Sequence, residues 1–504
     1  MKRNLFDKET EITGRNFNEL INEFGGKTAG IHLLDAGIRY FLKTGRLKQP
    51  PQNQRQLLTF GSNPADSLPF HQIPTTVYKL FEEIMKRNFG SKSDAEMHSF
   101  RTEEGRRDID NLNDMWSLIS KVIRECEEEF PYQVKASSNA SAPAYAPSFH
   151  LRSSATSEDF RDDRHFGTFG TIAKDAFFYD YHQRCLAQGR RSLLELMTDF
   201  YIQKFHSNGR FDLYKNDLLG MLLMPTICEY ADKEVILYSA YPEDPSSPAI
   251  MEVWGNDREI PEKGPIELIR MTKDGIERIP AYVKNKDTES KKEELPEEDA
   301  RFLFELSRAF QEVLLYPVNL EVTVAPKYLV PIQLRPVPCL PENGVLSRLP
   351  PVSEDDYVVA ETPFVMGSFN HRAPLVKAHY KNDYQGHKFQ EKVIIWHTES
   401  EKGHRFYYND PKCIAMINPQ EGAVLTHSAS LLPSFGEGRD NFAFVGLPFK
   451  GLAEKLEKCM VTREEPTARG QGNFSYTPFP ITIQSDGRRG RVTVNKTYAH
   501  HFKD

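Results

Sequence analysis

Five short segments carry side chains able to handle phosphate. The run Leu151-Arg152-Ser153-Ser154-Ala155-Thr156-Ser157-Glu158-Asp159 places one guanidinium among several hydroxyls and leads on to Gly167, Phe169, Gly170 and Thr171. A planar fork of donors beside small hydroxyl residues suits a polyphosphate, and glycines let a loop fold over it. Gly25-Gly26-Lys27-Thr28 offers a glycine pair that lets backbone approach closely and a lysine to neutralise charge. It is not a P-loop, because that motif needs a glycine where Ile21 stands. By itself the same segment also suits a plain helix start. Asn319 and Glu321, then Gln333 and Arg335, are pairs two residues apart, and His427 sits in Gly422-Ala423-Val424-Leu425-Thr426-His427-Ser428-Ala429. A neutral imidazole nitrogen is nucleophilic near neutral pH, although a lone histidine in such a run is also an ordinary surface or core residue.

The elements around these segments are readable from periodicity. Leu112, Met115, Trp116, Ile119, Val122, Ile123 and Cys126 recur at helical spacing, as do Leu193, Leu196, Met197 and Phe200. Leu218–Met224 and Val235–Ala240 are short apolar runs typical of buried strands, and a polar insertion follows at Lys284–Glu298. Pro296 opens a helix with the apolar face Phe302, Leu306, Ala309, Phe310 and Val313, and Pro317 ends it. Val318–Ala325 and Leu329–Arg335 then form an expected hairpin around Pro326 and Lys327. Strand alternation gives Asn319 and Glu321 one face and Gln333 and Arg335 another shared face, and the two pairs meet on one ligand if register permits. Ser137–Pro147 reads as a loop or lid, and the proline-rich Pro336–Pro351 as an interdomain linker. Residues 352–504, with short strands, glycine turns and a helical stretch at Gly451–Cys459, suggest a small α/β domain.

The motifs together resemble a known family. RSSATSED is similar to the RSSAT(A/S)ED signature of the phosphoenolpyruvate synthase and pyruvate phosphate dikinase family, whose nucleotide-binding domain is an ATP-grasp fold. Gly25-Gly26-Lys27 resembles its N-terminal GGK, VNLEV at 318–322 its DIEW, and QLRP at 333–336 its QxRP, all in the family's order. The segment around His427 resembles the GGxTSHAA motif of the family's swivelling phosphohistidine domain, with Ala423 for the second glycine and Leu425-Thr426 for Thr-Ser. Phe444–Gly446 and the 481–494 stretch resemble the strand and closing hairpin of that domain.

The resemblance implies an α/β (α+β) chain in which residues 1–338 are an ATP-grasp domain, 339–351 a linker and 352–504 the swivelling domain. It implies ATP and Mg²⁺ as cofactors. Lys27 and Arg152 match phosphate contacts, Glu321, Asn319 and Gln333 the oxygen ligands of Mg²⁺, Gln333 and Arg335 groups orienting the transferring phosphate, and His427 the phosphoryl carrier. Asn319 departs from the family's metal-binding Asp: an oxygen ligand remains and a negative charge is gone. The sequence stops at Asp504 without the barrel that binds pyruvate in the family, so the expected acceptor is another small molecule or a partner protein. The competing expectation is a nucleotide-binding regulatory or partner-binding protein that has lost catalysis.

Composition limits the remaining classes. A chain of 504 residues suits two or three domains, and 39% hydrophobic with 27% charged residues is ordinary for a globular protein. A net charge of -7 gives no global basic field for nucleic acid, despite the local Arg488, Arg489 and Arg491. The six cysteines form neither a CxxC pair nor a Cys/His cluster, which fits reduced thiols and a cytoplasmic location. The charged N-terminus has no apolar signal core, and no stretch approaches the roughly 20 apolar residues of a membrane span.

Overall fold

The computed structural model describes residues 6–51, 54–61, 67–68, 70–90, 99–100, 103–129, 149–156, 160, 171–174, 193, 197–198, 200–202, 217–225, 233–240, 249–255, 267–272, 275–280, 294–336, 349–362, 368–379, 387, 389–396, 412–418, 443–446, 452–467, 470–486 and 490–502. The chain mixes helices with several sheets and divides into two compact units. The first comprises Met1–Ala231, Glu312–Leu315 and Leu320–Pro336, and the second Asp232–Gln311, Tyr316–Asn319 and Val337–Asp504. Most of the expected linker, and the Ser137–Pro147 loop, lie outside the described residues.

The first unit is built on an antiparallel sheet in the order His71–Ile73, Leu219–Pro225, Phe149–Ala155, Thr171–Lys174. Helices Thr75–Phe89 and Asn113–Glu129 supply its core through Tyr78, Phe81, Met85 and Ile119, packed with Phe200 and Met221. The helical periodicity read from Met115, Ile119 and Val122 is thus the buried face of Asn113–Glu129. Helix Phe17–Phe24 starts at Asn16, whose side chain accepts from the backbone N–H of Asn18 and Glu19, satisfying donors that a helix start leaves open. The long helix Gly26–Thr44 follows at once.

The expected hairpin is present as Val318–Val324 and Tyr328–Pro336. Ala325 and Tyr328 exchange backbone hydrogen bonds of 2.8 and 3.3 Å, so Pro326 and Lys327 are its two-residue turn. Proline suits a turn because its fixed φ is preset and no N–H is wanted there. Gln56–Leu57 joins in parallel beside Tyr328 and Leu329. The preceding helix, Glu297–Leu314, begins just after Pro296 and buries Phe302, Leu306, Ala309 and Phe310 as its periodicity predicts.

In the second unit, Lys233–Tyr238, Ile250–Gly255, Glu267–Thr272 and Gly275–Pro280 form an antiparallel meander. A four-stranded antiparallel sheet runs Asp356–Thr362, Gly490–Asn495, Ile481–Asp486, Ser368–Ala373. A six-stranded sheet runs Ala443–Gly446, Cys413–Asn418, Val393–Trp396, Leu375–Ala378, Gly470–Tyr476, Val461–Thr467, the first four parallel and Gly470–Tyr476 antiparallel to both of its neighbours. Leu452 and Leu456 of helix Leu452–Lys458 pack with Ile394, Trp396 and Ile417 of that sheet. Parallel strands need such a cover because both of their faces are apolar. Among the described residues no helix is long and apolar enough to cross a membrane.

Helix Gly26–Thr44 also carries a pH-sensitive side chain. The ring Nε2 of His32 lies 2.9 Å from Gln72 Oε1. Burial, with a smaller contribution from Arg15, pushes the pKa of His32 below its ordinary value, against the opposing effects of Gln72, Asp35 and Glu23; burial does the same to His71, opposed by Glu125. A histidine whose pKa is depressed on folding takes up its proton more readily unfolded, so the stability is complete above about pH 6.5 and is lost as pH falls through that value. The denaturation midpoint is therefore expected to drop between pH 7.5 and 5.5, and to drop less in His32→Gln; equal slopes would exclude His32 as a cause.

Candidate functional site

Helix Gly26–Thr44 is held against two strands by two close backbone approaches. A Cβ on Gly25, whose φ is +84°, would lie 1.8 Å from the carbonyl oxygen of Ser154 on Phe149–Ala155. A Cβ on Gly30 would lie 2.6 Å from the carbonyl oxygen of Leu334 on Tyr328–Pro336. Only glycine permits either contact. One helix therefore sets the spacing between the strand that carries Arg152 and the strand that carries Gln333 and Arg335.

At the helix start the backbone N–H of Thr28 donates to Ser154 Oγ at 3.0 Å, and Lys27 Nζ lies 3.3 Å from Ser153 Oγ. Both bonds are buried, and Lys27 is only 6% exposed. The hydroxyls of the RSSAT run thus dock the GGK segment, a pairing across 126 positions of sequence.

Arg152 turns to the hairpin. Its Nη1 donates to the Ile332 carbonyl at 2.9 Å, and its Nη2 donates to Gln333 Oε1. The same Nη2 lies 3.7 Å from Glu321 Oε2, and Arg335 Nη2 lies 3.6 Å from Glu321 Oε1. One carboxylate is therefore flanked by two guanidinium groups. The face-sharing of Glu321 with Arg335 that alternation left to register is settled by that contact.

The structure thus joins Arg152, Glu321, Gln333 and Arg335 in one group and ties Lys27 to Ser153, the neighbour of Arg152. Asn319 belongs to the second unit, where its amide nitrogen donates to the Leu237 carbonyl at 3.2 Å. His427, Ser157–Asp159 and Gly167–Gly170 lie outside the described residues. Sequence reading missed Gly30 and the Ile332 carbonyl. Small residues at Gly25, Gly26, Ala29 and Gly30 were the available signal for a close-packed helix face.

Among the described residues no three or more His, Cys, Asp or Glu side chains cluster as a metal cage. A group of two arginines, one carboxylate and one amide instead carries the donors to hold an anion. No protein-family model matches the chain, and no curated protein matches it.

Proposed function

We propose that the chain is an ATP-dependent phosphotransferase of the dikinase type, with an ATP-grasp nucleotide-binding domain followed by a swivelling phosphohistidine domain. The observation that carries this reading is the meeting of Arg152 with Gln333 and Glu321, and of Glu321 with Arg335, in one group. Lys27, Arg152 and Arg335 receive the phosphate chain of ATP. Catalysis of this kind rests on positioning and neutralising phosphate charge, and these three cations supply both.

The donor set is compatible with Mg²⁺. Magnesium is commonly held by one or two carboxylates together with the substrate's own phosphates. Glu321 is such a carboxylate, and the family resemblance gives Asn319 and Gln333 as amide-oxygen donors. The ion would neutralise phosphate charge.

His427 attacks the β-phosphorus: a nitrogen–phosphorus bond forms, the α–β phosphoanhydride breaks and AMP leaves; water then releases the terminal phosphate, and the remaining phosphoryl group passes to a non-pyruvate small molecule or a partner protein. With one water consumed, ATP and acceptor give phosphorylated acceptor, AMP and phosphate. Protein incubated with β- and γ-labelled ATP and magnesium is expected to form AMP and to carry acid-labile, base-stable label, and His427→Ala is expected to carry none.

A second reading is favoured by Asn319. It lacks the charge of an aspartate, and its amide nitrogen is committed to the Leu237 carbonyl. On this reading the chain binds nucleotide for regulation or partner recruitment and has no turnover. Tight ATP binding without AMP or label would select it and remove the enzymatic one.

A further inference from the structure

The Arg152 guanidinium is held by the Ile332 carbonyl and by Gln333 Oε1. Glu321 stands 3.7 and 3.6 Å from Arg152 and Arg335, beyond the range of a good N–H···O bond. The contact is charge attraction without the short geometry of a bidentate pair. Exposure is graded across the group: the Arg152 and Glu321 side chains are 12% and 16% exposed, and that of Arg335 is 2%. A carboxylate on the more open side, attracted by two cations, competes for the charge that would draw an incoming anion.

We infer that Glu321 acts as an internal stand-in for phosphate: its carboxylate competes with metal-free polyphosphate for Arg152 and Arg335, and a divalent cation relieves the competition by drawing the carboxylate to itself. The inference rests on the nucleotide reading above and adds to it a rule of admission. Charge decides the direction. Two guanidinium groups and one carboxylate leave a single net positive charge toward an anion, and two remain when the carboxylate is neutralised. With a cation bound, Glu321 changes from rival to ligand.

The probe is inorganic tripolyphosphate in EDTA, titrated calorimetrically into the full chain. Glu321→Gln keeps the shape and loses the charge, and it is expected to bind this metal-free anion about tenfold more tightly than wild type, a coupling of ordinary size. Glu321→Ala is expected to move in the same direction. With MgATP both variants are expected to bind more weakly than wild type. If wild type binds MgATP while neither variant gains affinity for metal-free tripolyphosphate, the inference is overturned and the nucleotide reading stands. If wild type binds no nucleotide with or without magnesium, both fall. Should the variants fail to fold, wild type alone decides: equal affinities for ATP in EDTA and for MgATP overturn the competition.

Discussion

Gly25→Ala is expected to destabilise the first unit severely. The added Cβ would lie 1.8 Å from the carbonyl oxygen, 2.3 Å from the carbonyl carbon and 2.6 Å from the Oγ of Ser154. Two of these atoms are backbone and cannot swing aside. Ser154 is paired with Gly220, and a Cβ on Gly220 would itself lie 2.1 Å from the Phe24 carbonyl oxygen. Both paired strands therefore stack on the Phe24–Gly25 segment at backbone contact, and relief at Gly25 requires them to move together. The expected loss exceeds about 4 kcal/mol, the range reserved for backbone collisions and other severe lesions. Gly45→Ala separates collision from conformational strain. Gly45 has a φ of +71°, and nothing lies within 4 Å of the added atom, so the expected cost is only the strain, about 1 to 2 kcal/mol. Denaturant unfolding of the two variants checks the contrast. Equal midpoints would mean that the close approach at Ser154 does not govern stability.

That stack also marks the limit of what the sequence discloses. Helix Glu297–Leu314 and the hairpin turn at Pro326-Lys327 were legible because proline and apolar periodicity are local signals. The strands at Leu219–Pro225 and Lys233–Tyr238 were legible as short apolar runs between turns. Periodicity states which face of an element is buried and is silent on what covers it. The docking of Ser153 and Ser154 onto Lys27 and Thr28, and the grip of the Ile332 carbonyl on Arg152, join segments 126 and 180 positions apart. The residue types at Arg152, Glu321, Gln333 and Arg335 suggested phosphate chemistry, and the structure adds that they meet. It also adds what composition could not: the Asn319 amide nitrogen is held by the Leu237 carbonyl, and the hydroxyls of the RSSAT run serve partly to fix a helix start. Those serines thus have structural work irrespective of any ligand.

Arg335→Lys is expected to lower AMP formation by about 10³-fold or more while leaving ATP affinity within a few fold of wild type, the loss seen when a guanidinium that stabilises phosphoryl transfer is removed. The argument turns on what lysine keeps and what it lacks. An ammonium can maintain attraction to Glu321, so the partly buried carboxylate is not left facing an uncharged neighbour, and thermal unfolding is expected to change little. It cannot present the planar pair of N–H groups that hold two phosphate oxygens at once. Under the proposed chemistry that fork matters most as charge builds on the transferring phosphate, so its loss falls on turnover rather than on ground-state binding. Measuring AMP release, ATP affinity and thermal midpoint on one preparation separates the possibilities. Unchanged turnover would remove Arg335 from the reacting group. A collapse of affinity together with a large fall in the thermal midpoint would make Arg335 an anchor for the hairpin, with Glu321 as the partner it exists to neutralise.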